Sequence, residues 1–101
     1  MCLELAPEST EIRATWTEAM MYCFSMGPGW RLPTKQELIQ ILREEENDLN
    51  GWYWTSTRAT IEDNRYWSVV YFNVNLGDGM QEKLKRIPSQ VKLDVRAVRE
   101  L

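Results

Sequence analysis

The 101-residue sequence contains no histidine, so the most common general base and the most common metal ligand of proteins are both absent. Closely spaced carboxylates occur as the run Glu44, Glu45 and Glu46, and such a run is typical of a solvated helix face. Asn73, Asn75 and Asp78 carry the oxygen ligands that calcium prefers, but these residue types are more typical of a turn. We therefore expect no catalytic residues, no metal and no cofactor, and we expect that the protein is not an enzyme.

The sequence has only two cysteines, Cys2 and Cys23, and no apolar run long enough to cross a bilayer. Its first eight residues lack the basic region and the apolar region of a secretory signal peptide. We therefore expect a cytoplasmic protein with reduced thiols and no contact with membranes. A disulfide between Cys2 and Cys23 is the alternative, and the sequence leaves it open.

The sequence has no basic surplus. Its net charge is −3 and its pI is about 5.0, which argues weakly against a nucleic-acid binder. The charge is uneven, because residues 1–50 hold nine acidic and four basic residues, whereas residues 51–101 hold six acidic and eight basic ones. A bipolar surface suits a protein partner of complementary charge, although ordinary solvated surface would give the same pattern.

The length fits one domain, residues 1–101, and five tryptophans supply a small core with much apolar area. Two capping boxes predict two helices: Thr15 with Glu18, and Thr34 with Glu37. The first helix has an apolar stripe and ends at the Gly-Pro-Gly segment 27–29. The residues of that stripe are Trp16, Ala19, Met20, Cys23 and Gly27, and those of the second are Leu38, Ile41 and Leu42.

After Gly51 the apolar period changes to two, which predicts strands at 52–57 and 66–74. The second of these has apolar residues on both faces and is therefore predicted to be a central strand covered on both sides. We expect an irregular strand within 80–86, a break at 87–89, a last strand at 91–98 and a short edge strand within 1–14. The last strand would place Val91, Leu93, Val95 and Ala97 on one face. The predicted class is α+β, with two N-terminal helices packed on a twisted antiparallel sheet.

Five motifs occur in order over residues 15–99: Thr15, Trp16, Glu18, Ala19, Tyr22, Cys23; Gly29 to Thr34, Glu37, Leu38; Trp52 to Thr57; Tyr66, Trp67, Val69, Phe72; and Val95, Arg96, Val98, Arg99. Together these motifs resemble the Legionella collagen-like protein C-terminal domain family. This resemblance implies the C-type-lectin-like fold, and the Arg-Leu-Pro-Thr segment 31–34 is also distantly similar to the formylglycine-generating-enzyme superfamily. We expect most of these motif residues to serve the fold, with Arg31 in an ion pair or bound to carbonyls and with Ser56 and Thr57 bonded to the backbone.

The sequence departs from the patterns of these relatives at sites that carry chemistry. Members of the family often have a cysteine at the position of Ala97, suited to pairing with the helix-one cysteine, here Cys23. The lack of that partner agrees with a reducing compartment. No cysteine follows Cys23, so the thiol pair of a formylglycine-generating oxidase is missing, and the Glu-Pro-Asn and Trp-Asn-Asp segments of calcium-dependent lectins are missing too.

Binding residues are therefore expected on the long loops of the fold, predicted at 58–65 and 75–90. Exposed arginines and aromatics are frequent binding hot spots, while solubility charges are the alternative for any single residue. The candidate binding residues are Tyr53, Arg58, Arg65, Lys83, Lys85 and Arg86.

Two functions remain as hypotheses. The first is a protein-binding module, such as a small phage or mobile-element accessory protein that binds and inhibits a host protein in the host cytoplasm. The alternative is an adhesin or receptor-recognition tip that binds a glycan or polyanion through Lys83, Lys85, Arg86 and Lys92. A homo-oligomer is compatible with either function.

Overall fold

A computed structural model describes residues 3–43, 49–58, 66–72 and 83–101. The acidic run 44–48, the turn at 75–79, Cys2 and Arg65 lie outside the described residues. The elements, in chain order, are β1 (Leu3–Leu5), a 3-10 turn (Glu8–Thr10), β2 (Ile12–Ala14), α1 (Trp16–Ser25), α2 (Lys35–Arg43), β3 (Gly51–Arg58), β4 (Tyr66–Phe72), β5 (Lys83–Pro88), β6 (Leu93–Val95) and β7 (Val98–Glu100).

Both helices begin at the predicted capping boxes. The Oγ1 of Thr15 accepts from the backbone N of Glu18 at 3.3 Å, and a carboxylate oxygen of Glu18 accepts from the backbone N of Thr15 at 3.0 Å. In the same way, the Oγ1 of Thr34 accepts from the backbone N of Glu37 at 3.1 Å, and a carboxylate oxygen of Glu37 accepts from the backbone N of Thr34 at 2.8 Å. These bonds satisfy backbone N–H groups that have no partner within the first turn of a helix. The predicted starts of the two helices are thus confirmed.

The strands form a five-stranded sheet in the order β2-β6-β3-β4-β5 and a two-stranded sheet of β1 and β7. Neighbouring strands are antiparallel except β3 and β6, which are parallel at Tyr53 and Asp94. The α+β class is confirmed, but the main sheet is mixed, so the expectation of a purely antiparallel sheet is wrong. Two short strands also precede the helices.

The predicted last strand, 91–98, is two strands in different sheets. Leu93 to Val95 pair with β2 and β3, Arg96 and Ala97 break the ladder, and Val98 to Glu100 pair with β1. The apolar alternation continues across the break because Val95 and Ala97 lie in the same core cluster. Periodicity reports burial and does not report the hydrogen-bonding partner, so it could not reveal the change of sheet.

Strand β5 also differs from the prediction, because it includes Ile87 and Pro88 rather than ending before them. It forms an edge of the sheet, where proline is tolerated since one side of the strand needs no ladder hydrogen bond. Most of the expected 75–90 loop that the structure describes is therefore a strand.

Core side chains cover both faces of the main sheet. The residues Val69 and Val70 are successive in β4, point to opposite faces and are both fully buried. The central position predicted for this strand is thus confirmed. One cluster holds α1, and includes Ala19, Cys23, Leu32, Trp54, Val69, Val95 and Ala97; the other holds α2, and includes Leu38, Ile41, Leu49, Tyr53, Val70 and Val98.

Candidate binding surface

Tyr53, one of the candidate binding residues, lies in the core and is 1% exposed. Its hydroxyl donates to a carboxylate oxygen of Glu11 at 2.6 Å and accepts from the backbone N of Asn50 at 3.1 Å. Burial, followed by the bond to Glu11, raises the pKa of the Tyr53 phenol above its ordinary value. Tyr53 is therefore not available at the surface, and the expectation that it is a binding residue is wrong. The reason is that β3 is covered on both faces, so that Tyr53 and its neighbour Trp54 are both buried.

The predicted basic residues that the structure describes belong to two strands, β3 and β5. Arg58 is exposed at the end of β3, where it pairs with Trp67 across a ladder irregularity. Lys83, Lys85 and Arg86 belong to β5, on the other side of β4. Arg65 lies outside the described residues. The role of these four described basic residues in binding stays a prediction.

The exposed face of α1 carries two large apolar side chains that the sequence analysis did not select. Met21 is 67% exposed and Phe24 is 68% exposed. Because they are three residues apart in a helix, they lie on one face, whereas Ala19 and Cys23 point into the core. The available signal was that Met21 and Phe24 are apolar yet fall outside the predicted core stripe. We call Glu18, Met21 and Phe24 the α1 face.

The α1 face continues toward the segment that follows β5. The backbone N of Trp16, the first residue of α1, donates to the carbonyl oxygen of Ser89 at 3.2 Å. Glu18, in the first turn of α1, has a pKa below its ordinary value, first because of its capping hydrogen bonds with Thr15 and then because of the charge of Lys92. Val91, beside Lys92, is 40% exposed. The helix and this segment therefore adjoin at the start of α1.

The motif residues at 31–37 act within the fold, as expected. Arg31 makes a two-pronged ion pair with Glu37, at 2.7 and 2.8 Å, and its Nη1 donates to the carbonyl oxygen of Leu32. The Arg31 guanidinium holds the pKa of the Glu37 carboxyl below its ordinary value. The Oγ1 of Thr57 accepts from the backbone N of Lys35, and the backbone N of Ser56 donates to Pro33. These bonds join the start of α2 to β3.

A buried ion pair ties the N-terminal segment to the C-terminal one. Arg96 is 1% exposed, and its two terminal nitrogens donate to the carbonyl oxygen of Ala6 at 3.0 Å and to Glu11 at 3.2 Å. A carboxylate oxygen of Glu11 also accepts the hydrogen bond from the Tyr53 hydroxyl. A guanidinium suits this position because it donates to several acceptors at once. We assign this network to the fold.

Beside this network, a cleft of about 180 Å³ opens at the β2 edge of the sheet. It is lined by Arg13, Gly51, Trp52, Leu93 and Asp94. Burial, then the charge of Glu11, raises the pKa of the Asp94 carboxyl, while Arg13 acts in the opposite direction. A carboxylate and a guanidinium both contribute to the lining of this cleft.

The thiol of Cys23 is free and buried in the core. Burial raises its pKa to about 11, so the reactive thiolate is scarce at neutral pH. Among the described residues, no group of three or more potential metal-ligating side chains is placed to hold an ion. Within the same residues, no helix combines the length and apolar character that a bilayer span requires.

Comparisons with known proteins found no relative. No family model matches the chain, and neither a curated protein nor a solved structure matches it.

Proposed function

We propose that this chain is a non-enzymatic protein-binding module that contacts its partner through the α1 face. The observation that carries the proposal is the exposure of Met21 and Phe24, which are 67% and 68% exposed on one side of a helix whose other side buries Ala19 and Cys23 completely. Methionine and phenylalanine are enriched in protein interfaces relative to the rest of a protein surface.

The energetics favour a protein partner at this face. Transfer of a Met or Phe side chain from water into an apolar site is worth roughly 1.5–3 kcal/mol. Because α1 is capped by Thr15 and anchored by Ala19 and Cys23, binding there orders side chains and leaves the backbone as it is. The partner surface that fits is an apolar pocket or groove that receives the Phe24 ring.

We also propose that the fold is C-type-lectin-like and that the chain is related to the Legionella collagen-like protein C-terminal domain family. The positions of Cys23 and Ala97 support this proposal. In the family a disulfide would join these positions, and here both residues are buried in the same core cluster. The pairing of the first described strand, β1, with the last, β7, is compatible with a domain whose ends meet.

An introduced cysteine tests this relationship. In a Cys2→Ser background, we expect Ala97→Cys to form a disulfide with Cys23 under mild oxidation, measured as the loss of both free thiols by mass spectrometry. Val98→Cys is the matched control, because Val98 lies in the cluster on the opposite face of the sheet. Two free thiols in a folded Ala97→Cys variant would contradict the proposed fold.

The binding surface is tested by capture of partners on the tagged chain, with quantitative mass spectrometry. We expect one stoichiometric protein partner, which the double variant Met21→Glu/Phe24→Glu loses. The matched control is Gln36→Glu/Gln40→Glu, which adds the same charge to exposed positions of α2. Exposed substitutions change stability by roughly 0.5 kcal/mol or less, so thermal unfolding verifies that all variants fold.

The outcomes separate the hypotheses. If the Met21→Glu/Phe24→Glu variant still captures the partner, the α1 face is not the binding surface. If the Gln36→Glu/Gln40→Glu control also loses the partner, the loss is not specific to the α1 face. Inhibition of the captured protein's activity would support the host-inhibitor hypothesis. Binding to sulfated glycans that weakens with salt, with no protein partner, would favour the polyanion-binding alternative.

A further inference from the structure

Arg13 and Asp94 stand directly opposite each other on the neighbouring antiparallel strands β2 and β6. Opposite residues of such a pair lie on the same face of the sheet, and opposite charges there ordinarily stabilise each other by contact. Within the described part of the chain, however, the two side chains form no ion pair with each other or with any other residue. The cleft of about 180 Å³ is lined by both of them.

The carboxylate of Asp94 lies against the backbone of β3. Gly51, at φ +112°, has no side chain, and a Cβ there would lie 2.7 Å from an Asp94 carboxylate oxygen. Any other residue at position 51 would therefore displace the carboxylate. Partial burial removes water from Asp94, and no described hydrogen-bond donor replaces that water. The carboxylate is thus a partly buried acceptor that has no donor among the described residues.

Arg13 supplies the complementary group. Its side chain is exposed and presents the planar donor geometry that binds carboxylates in a two-pronged manner. A ligand that fills the cleft between the two residues therefore needs a donor with positive charge on the Asp94 side and an anionic acceptor on the Arg13 side. Trp52 and Leu93 complete the lining of the cleft.

We propose that this cleft binds a small zwitterion, namely a free α-amino acid, with its ammonium group on Asp94 and its carboxylate on Arg13. The cleft is smaller than the usual pockets for drug-sized ligands, which are roughly 300–1,000 Å³, and a small amino acid matches that difference. The site is separate from the α1 face and does not depend on the proposed protein-binding function.

Ligand titration followed by backbone amide NMR tests the proposal, with L-alanine as the probe. We expect saturable shifts centred on the amides of Arg13, Gly51 and Asp94. N-acetyl-L-alanine lacks the ammonium group and L-alanine amide lacks the carboxylate. Each should bind about tenfold more weakly or worse, since a hydrogen bond to a charged group contributes roughly 1.5–3 kcal/mol.

Two variants assign the ends of the ligand. Asp94→Asn should weaken the binding of L-alanine at least about tenfold and abolish the preference for L-alanine over N-acetyl-L-alanine. Arg13→Gln should abolish the preference for L-alanine over L-alanine amide. The control is Lys35→Gln, which removes a positive charge at the start of α2, beside Thr57 at the far end of β3, and should leave L-alanine binding unchanged. Unfolding midpoints near that of the wild type show that the variants fold.

Three results would overturn the proposal: no saturable shift with L-alanine in the millimolar range, equal binding of the capped analogues, or unchanged binding by Asp94→Asn. A fourth comes from the ligand-free protein. A pKa of Asp94 below its ordinary value, measured by carbon-13 NMR, would show that Arg13 and Asp94 close on each other in solution.

Discussion

At the scale of single residues, Glu11 joins three parts of the chain. Its carboxylate accepts from Tyr53 on β3 and from Arg96 beyond β6, and Arg96 also binds the carbonyl of Ala6. Arg96 is 1% exposed, and Glu11 is a described anionic partner of its guanidinium. A buried pair of this kind adds little to stability compared with apolar residues, but removal of one partner weakens the compensation of the charge that stays buried.

We therefore predict that Glu11→Ala lowers the free energy of unfolding by about 2–3 kcal/mol, near the lower end for buried pairs because the side chain of Glu11 is partly exposed. Urea unfolding followed by tryptophan fluorescence measures the change. Glu8→Ala is the control, because Glu8 is exposed in the preceding turn and should change stability by about 0.5 kcal/mol or less. Equal effects of the two substitutions would contradict the role given to Glu11.

At the scale of elements, the two helices share the same type of start but differ in what holds it. In α1, Glu18 bonds to the backbone of Thr15. In α2, Glu37 bonds to the backbone of Thr34 and also to both terminal nitrogens of Arg31. Glu37 therefore fixes the start of α2 and the preceding extended segment at once, so its loss affects two parts of the fold.

The pH dependence of stability should report this arrangement. The pKa of Glu37 is lowered in the folded state from an ordinary value of 4.5, so the unfolded state binds the proton more tightly. Its contribution to stability is therefore present above about pH 4.5 and is lost as the pH falls through the folded-state pKa. We predict that Glu37→Gln costs about 1–2 kcal/mol at neutral pH and that this cost shrinks in acid.

Chemical denaturation across that pH range measures the difference between Glu37→Gln and the wild type. Glu100→Gln is the matched control, since Glu100 also contacts Arg31, at 3.4 Å, but its side chain is 58% exposed. Its effect should be clearly smaller. A cost of Glu37→Gln that stays constant with pH would exclude the ion pair with Arg31 as its cause.

At the scale of the whole molecule, the main sheet is a central layer with a helix on each face. The residues Val69 and Val70 are fully buried on opposite faces of β4, in the α1 cluster and the α2 cluster respectively. The stability of the chain should therefore depend on both clusters and not on one dominant face. A sheet with one solvated face would behave differently, because one of the two valines would then be replaceable at little cost.

We predict that Val69→Ala and Val70→Ala each lower the free energy of unfolding by about 2 kcal/mol. The cost has two parts, because burial of two methyl groups is lost and a cavity is left in the core. Fluorescence and circular dichroism should report the same transition in each variant, as expected for two-state unfolding. Val91→Ala, at a position 40% exposed, is the control and should be nearly neutral. A neutral effect of either core variant would contradict the two-sided core.

The sequence by itself determined the features that depend on neighbours along the chain. The starts of both helices follow from hydrogen bonds between residues three apart, as Thr34 and Glu37 show. The central position of β4 follows from alternation with apolar residues on both faces. The place of Ser56 and Thr57 against the start of α2 also agrees with their expected bonds to the backbone.

Only the tertiary structure decided which distant segments meet. The break at Arg96 and Ala97, the burial of Tyr53 against Glu11, the exposure of Met21 and Phe24 and the facing of Arg13 and Asp94 all depend on such pairings. The physical reason is that hydrogen bonds between strands and the covering of a helix face are made by residues far apart in sequence. Periodicity records that a residue is buried or exposed on average, and it holds no information about the partner.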